Sequence, residues 1–148
     1  MSGLDLGVIG NCAIGALVDR NARIVWACLP RFDGDPVFHA LLGAPGTGNA
    51  GAAGEEPGDP YPGAFSIELE GFTRSEQEYE PNTAVLRTRL YGSDGDVLEV
   101  TDFVPRFRAR GRMFRPTMLV RRIRPLSGRP RVTFRIRPRF DWARPSPP

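Results

Sequence analysis

The sequence contains no lysine: Lys and Arg together number 20, and every one is arginine. Cysteine is almost as scarce, with only Cys12 and Cys28, and His39 is the single histidine. Neither cysteine belongs to a C-x-x-C pair, so these residues cannot supply a Cys/His zinc site, and two buried free thiols are expected. No apolar run approaches the roughly 20 residues needed to cross a bilayer, which predicts no membrane partner. Met1 to Asp5 has neither a basic region nor a long apolar stretch, so no secretory leader is read there and a cytoplasmic location is expected. P-loop, dinucleotide-binding and nucleophile-elbow patterns are all missing, and no cofactor is predicted.

What is present is the composition of an ordinary globular domain: 148 residues, 41% hydrophobic and 25% charged. That length can bury a core without disulfides or a metal. The net charge of +3 conceals an asymmetry. Residues 1–105 hold 6 Arg against 16 acids, whereas residues 106–148 hold 14 Arg against Asp141 alone. Interleaved with Phe107, Phe114, Phe134, Phe140 and Trp142, these arginines allow an alternative reading as a nucleic-acid binder, in which cations neutralise phosphates and rings stack on bases.

The pattern along the chain is that of short strands. Leu6–Val18 is apolar and studded with glycine, Asp19–Ala22 has turn chemistry, and Arg23–Leu29 is β-branched and aromatic, which predicts a hairpin. Asp35 followed by Pro36 resembles a helix start, so a short helix is expected over 36–42. Residues 43–63, rich in Gly, Ala and Pro, read as a flexible insertion. Alternation in Ala64–Glu70, in Ala84–Tyr91 and in Val97–Val104 predicts half-buried strands, the last two joined at Ser93–Asp96. Met118–Pro125 and Val132–Phe140 read as a third strand pair around Leu126–Pro130. The sum is an all-β, antiparallel sandwich over residues 1–142, with 143–148 as a linker or truncated end.

The most informative stretch is Val25-Trp26-Ala27-Cys28-Leu29-Pro30-Arg31-Phe32-Asp33-Gly34-Asp35-Pro36-Val37-Phe38. A strand running into Arg31-Phe32-Asp33 places a guanidinium, a ring and a carboxylate on one loop. Such groups can grip a sugar by stacking and by bidentate hydrogen bonds, with Trp26 as a further aromatic candidate. The same residues also suit a purely structural Arg31–Asp33 or Arg31–Asp35 pair with Phe32 as a core anchor. Glu55/Glu56, Glu68/Glu70 and Asp94/Asp96 fall on the insertion, a solvent-facing strand and a turn, so none is read as a catalytic pair.

Taken in order, "LGVIGNCAIGALVDRNARIVWACLPRFDGDPVFHALL", "SEQEYEPNTAVLRTRL", "VTDFVPRF", "MFRPTMLVRRIRPLSGRPRV" and "RPRFDWAR" resemble the N-terminal segment of bacterial glucoamylase/trehalase-like proteins of glycoside hydrolase family 15. The resemblance implies a β-sandwich preceding an (α/α)6 barrel that carries both catalytic glutamates of an inverting hydrolase. It therefore implies a non-catalytic supporting domain whose partner is that barrel and whose loops wall its entrance, near the α-glucosides it takes. A free-standing carbohydrate-binding module is the other carbohydrate reading. The family's sandwich extends beyond this length, which implies an incomplete sandwich with open edges prone to self-association. Ala27 departs from the family pattern, where a second aromatic is common, and this weakens a sugar platform around Trp26.

Overall fold

The computed structural model of the chain describes residues 5–42 and 63–139. Most of the expected insertion, Tyr61, Phe140, Asp141, Trp142 and the 143–148 tail lie outside the described residues. No described helix is long and apolar enough to cross a membrane.

The described residues form an antiparallel β-sandwich of short strands. The first sheet contains β1 (Leu6–Gly10), β2 (Gly15–Asp19), β3 (Ile24–Cys28), β4 (Pro36–Phe38), β5 (Phe65–Leu69) and β12 (Val132–Ile136). Its order is β1-β2-β3-β5-β12, with β4 also paired to β3. The second sheet contains β6 (Phe72–Tyr79), β7 (Leu86–Gly92), β8 (Val97–Phe103) and β11 (Val120–Ser127), in the order β11-β8-β7-β6. A separate two-stranded hairpin joins β9 (Phe107–Ala109) to β10 (Arg112–Phe114).

Alternation dictates which side chains meet between the sheets. Ile9, Ile14, Ala16, Val18, Ile24, Ala27 and Phe38 of the first sheet and its turns pack with Leu86 and Val104. Farther along, Ala22, Ile67 and Leu69 pack with Leu90, Leu98 and Val100. On β7 the inward row is Leu86, Thr88 and Leu90, all buried, as its alternation predicts.

Three local readings of the sequence change. The apolar stretch 6–18 is two strands, because Asn11 turns the chain: its side-chain Oδ1 accepts from the N–H groups of Ala13 and Ile14 at 3.0 and 3.2 Å. Residues 36–38 are extended along β3, and helical geometry is confined to a 3-10 turn at Ala40–Leu42. Strands β11 and β12 do not pair with each other; β11 joins β8 and β12 joins β5, in opposite sheets. Their connection turns at Gly128, which has φ +72 and leaves no room for a side chain, since an added Cβ would lie 1.9 Å from Asp96 Oδ1. Of the two free cysteines, Cys28 is buried and Cys12 is exposed, which corrects the expectation of two buried thiols. Burial pushes the Cys28 thiol above its usual pKa.

Candidate interaction site

The loop after β3 begins at the cis Leu29–Pro30 peptide and is closed by a turn in which Gly34 N–H donates to Arg31 C=O at 3.1 Å. Within it Arg31 Nε and Nη2 donate to the two oxygens of Asp33 at 2.9 and 2.7 Å. This fork-on-fork pair is well exposed, so it orients the loop more than it stabilises the fold. Phe32 is not a core anchor; it is 57% exposed, with the edge of its ring over Gly15. Gly15 lets the ring lie this close, because a Cβ at position 15 would meet the Phe32 ring at 2.7 Å and turn it aside.

Register explains where Trp26 sits. Val8 pairs with Leu17, and Leu17 pairs with Trp26. Their neighbours Ile9, Ala16 and Ala27 are in the core, so Val8, Leu17 and Trp26 project from the outer face of the first sheet. Val8 is 57% exposed and the other two are half-buried. Gly15 pairs with Cys28 on the same face, so the apolar row continues toward Phe32. An apolar row on the outer face departs from the usual hydrophobic-in, polar-out division of a sandwich. Val8 and Leu17 escape a reading of single strands, because only the register across β1, β2 and β3 aligns them with Trp26.

The β9–β10 hairpin adjoins this end of the sandwich. The amide of Asn11, itself buried, donates to Pro105 C=O and Pro116 C=O at 3.0 and 2.9 Å, holding both feet of the hairpin. Beside it Arg106 Nη1 lies 3.3 Å from Cys12 Sγ. Phe107 and Phe114 stack across the hairpin with ring centroids 5.5 Å apart, both exposed. Arg108, Arg110 and Arg112 share this short exposed element, so the hairpin presents cations around an aromatic pair.

The carboxylates elsewhere have structural roles. Glu68 pairs with Arg135, and Glu70 lies 3.6 Å from Arg131. Asp96 accepts the Arg129 N–H at 2.9 Å. Glu99 faces Arg87, Arg89 and Arg124, and Asp102 faces Arg121. Among the described residues no group of three or more His, Cys, Asp or Glu side chains could hold a metal ion.

The described residues thus form an all-β sandwich with apolar and cationic groups exposed at the end that holds the loop and the hairpin. The model of the family described as trehalase-like, N-terminal matches residues 5–146, and the chain belongs to that family. It is 37% identical over 102 residues to trehalase 1 of Sulfolobus acidocaldarius, a match covering 68% of this chain and 15% of the relative. With the trehalase of Thermoplasma volcanium it shares 30% identity over 99 residues, covering 67% of this chain and 14% of that protein. The matched region is thus a small part of each relative's length. No solved structure matches the chain significantly.

Proposed function

We propose that the chain is a non-catalytic N-terminal supporting domain of a trehalase-like α-glucoside hydrolase of glycoside hydrolase family 15, working in the cytoplasm. Its outer apolar row packs against the catalytic (α/α)6 barrel, and the Arg31–Asp33 loop walls one side of the barrel entrance. The observation that carries this reading is the row Val8–Leu17–Trp26 running toward Phe32 on a domain of the trehalase-like N-terminal family. Burying such a row stabilises a domain contact at about 25 cal/mol per Å2 of apolar surface. The catalytic acids then belong to the barrel, and this chain contributes shape and orientation.

The test mixes the chain with a trehalase-type catalytic portion, following binding by calorimetry and trehalose hydrolysis by glucose release. Binding that Leu17→Glu abolishes, with no hydrolysis by the chain alone, supports the reading. Hydrolysis by the isolated chain, or binding indifferent to Leu17→Glu, sinks it.

A carbohydrate-binding role is favoured by one feature, the exposed Phe32 ring flanked by the Arg31–Asp33 pair. Titration with trehalose and maltose, read at the Phe32 ring protons, separates the two roles. Saturable shifts at millimolar sugar that disappear in Phe32→Ala support direct contact, and unchanged spectra leave the supporting role.

A further inference from the structure

Across the two sheets arginines meet carboxylates: Arg74 pairs with Glu76, Arg87 with Glu80, Arg124 with Glu99 and Arg135 with Glu68. The β9–β10 hairpin is different. The sequence has no acid between Asp102 and Asp141, and Asp102 is taken by Arg121. Arg106, Arg108, Arg110, Arg112 and Arg115 are all exposed. Among the described residues Arg108, Arg110, Arg112 and Arg115 form no ion pair.

The hairpin holds these cations in a fixed frame. Arg110 and Gly111 make its two-residue turn with φ of 48° and 72°, the positive values that let a tight turn follow the twist of its strands. At its base the carbonyls of Pro105 and Pro116 both accept from the buried Asn11 amide. Phe107 lies opposite Phe114, so the stacked rings share one face with Ala109 and Arg112, while Arg108 and Met113 take the other. Both faces are open, with Phe107 50%, Phe114 41% and Met113 42% exposed. The arm is also continuous with the apolar outer row, because the β1–β2 turn touches both. Gly15 lies under the Phe32 ring, and Cys12 Sγ is 3.3 Å from Arg106 Nη1.

We infer, on the supporting-domain reading above, that the hairpin is a second docking arm whose partner is a carboxylate-bearing patch on the catalytic portion of the enzyme. Carboxylates of that patch receive Arg108, Arg110 and Arg112, whose forked guanidinium groups suit bidentate pairing. Phe107 and Phe114 supply the aromatic anchor that such contacts favour. A nucleic acid would meet the same cations, but a polyanion would leave the adjoining row Val8–Leu17–Trp26 in water. A protein surface covers row and hairpin together. Within that contact the arginines steer association and fix orientation, whereas the apolar row holds the complex.

The test measures association of the intact chain with a trehalase-type catalytic portion by surface plasmon resonance, from low to high salt. Association of the unaltered chain is expected to slow as salt rises. Replacing Arg108, Arg110 and Arg112 together by Gln lowers the association rate about tenfold at low salt and flattens its salt dependence. Arg20→Gln combined with Arg74→Gln, which removes exposed cations that already face carboxylates, changes the rate by less than about twofold. Binding that Leu17→Glu abolishes, but that the triple substitution leaves equally fast and equally salt-dependent, overturns the hairpin's role and leaves the supporting-domain reading standing. Absence of binding by the unaltered chain overturns both. Titration with a single-stranded oligonucleotide supplies the rival outcome: binding by the unaltered chain that the triple substitution removes assigns the hairpin to phosphates and overturns its pairing with carboxylates. Should the triple variant fail to fold, Arg110→Glu at the turn decides, and an unchanged association rate in that variant overturns the inference.

Discussion

Arg121 grips Asp102 with two hydrogen bonds, Nε to Oδ1 at 2.7 Å and Nη2 to Oδ2 at 3.0 Å, and both side chains are withdrawn from water, at 5% and 0% exposure. The same guanidinium donates to Phe65 C=O at 3.1 Å and to Ala22 C=O, and its carbon lies 4.6 Å from the centre of the Phe65 ring. Arg121 and Asp102 belong to the second sheet, whereas Phe65 lies on β5 of the first and Ala22 in the turn between its β2 and β3. One side chain therefore ties the two layers together.

Removing Arg121 strands a buried carboxylate, so Arg121→Met should cost about 3–5 kcal/mol at neutral pH by urea denaturation. Burial already pushes the Asp102 carboxyl above its usual pKa, with Arg121 offsetting part of the rise. A carboxyl raised in the folded state favours folding below that pKa, and this contribution is lost as pH rises through it. Arg121→Met should thus lose stability more steeply than the parent as pH climbs from about 4 toward 7. A loss under about 1 kcal/mol, or parallel pH profiles, contradicts the assignment.

Glu76 should show the opposite dependence. The Tyr91 hydroxyl donates to it at 2.8 Å and Arg74 pairs with it, and these contacts hold its carboxyl below the usual value. Its contribution is present above the unfolded pKa and disappears as pH falls through the depressed one. In Tyr91→Phe the Glu76 carboxyl should titrate at higher pH, which carbon-detected NMR of that side chain would record; an unmoved titration rejects the hydroxyl as its main stabiliser.

Asn11 supports the hairpin through two donors and the β1–β2 turn through one acceptor oxygen. Asn11→Ala leaves those carbonyls without their amide partner and should cost about 2–3 kcal/mol. Exchange at the Phe107 and Phe114 amides should accelerate more than exchange within β7. Uniform acceleration across the molecule means that the hairpin is not specifically anchored there.

The Tyr79 hydroxyl lies 2.6 Å from Val8 N and 2.9 Å from Val8 O. Tyr79→Phe removes only that hydroxyl, so the fold should lose about 1 kcal/mol. The β1 edge then becomes available for pairing, and light scattering should reveal association that Val8→Lys suppresses. A Tyr79→Phe protein as monodisperse as the parent shows that the hydroxyl is not a guard.

Alternation reveals much of this fold because one face of each central strand is buried. Leu86, Thr88 and Leu90 can be placed inward from the sequence for that reason. It fails where a side chain, rather than a period, directs the backbone: Asn11 divides the apolar stretch 6–18 into two strands by bonding to its own turn. At Asp35-Pro36 the residues suit a helix start, but pairing with β3 supplies backbone partners for an extended path. Ser127-Gly128 serves equally in a hairpin or in a crossing between sheets, and the strands that receive β11 and β12, β8 and β5, lie far away along the chain. Within the loop, Arg31 and Asp33 are close enough in sequence for their pair to be legible. The outer row of Val8, Leu17 and Trp26 is not, because it exists only once three strands are in register.

The grip of Arg121 on Ala22 spans 99 residues of sequence. A ribosome releases the N-terminal strands first, so Ala22 and then Asp102 emerge with no guanidinium to receive them. Without Arg121, burying the Asp102 carboxylate between the layers costs free energy, so the native contact between them needs both residues. The contact that joins the two layers is thus one of high sequence separation, the kind whose loop-closure cost makes folding slower than local pairing does.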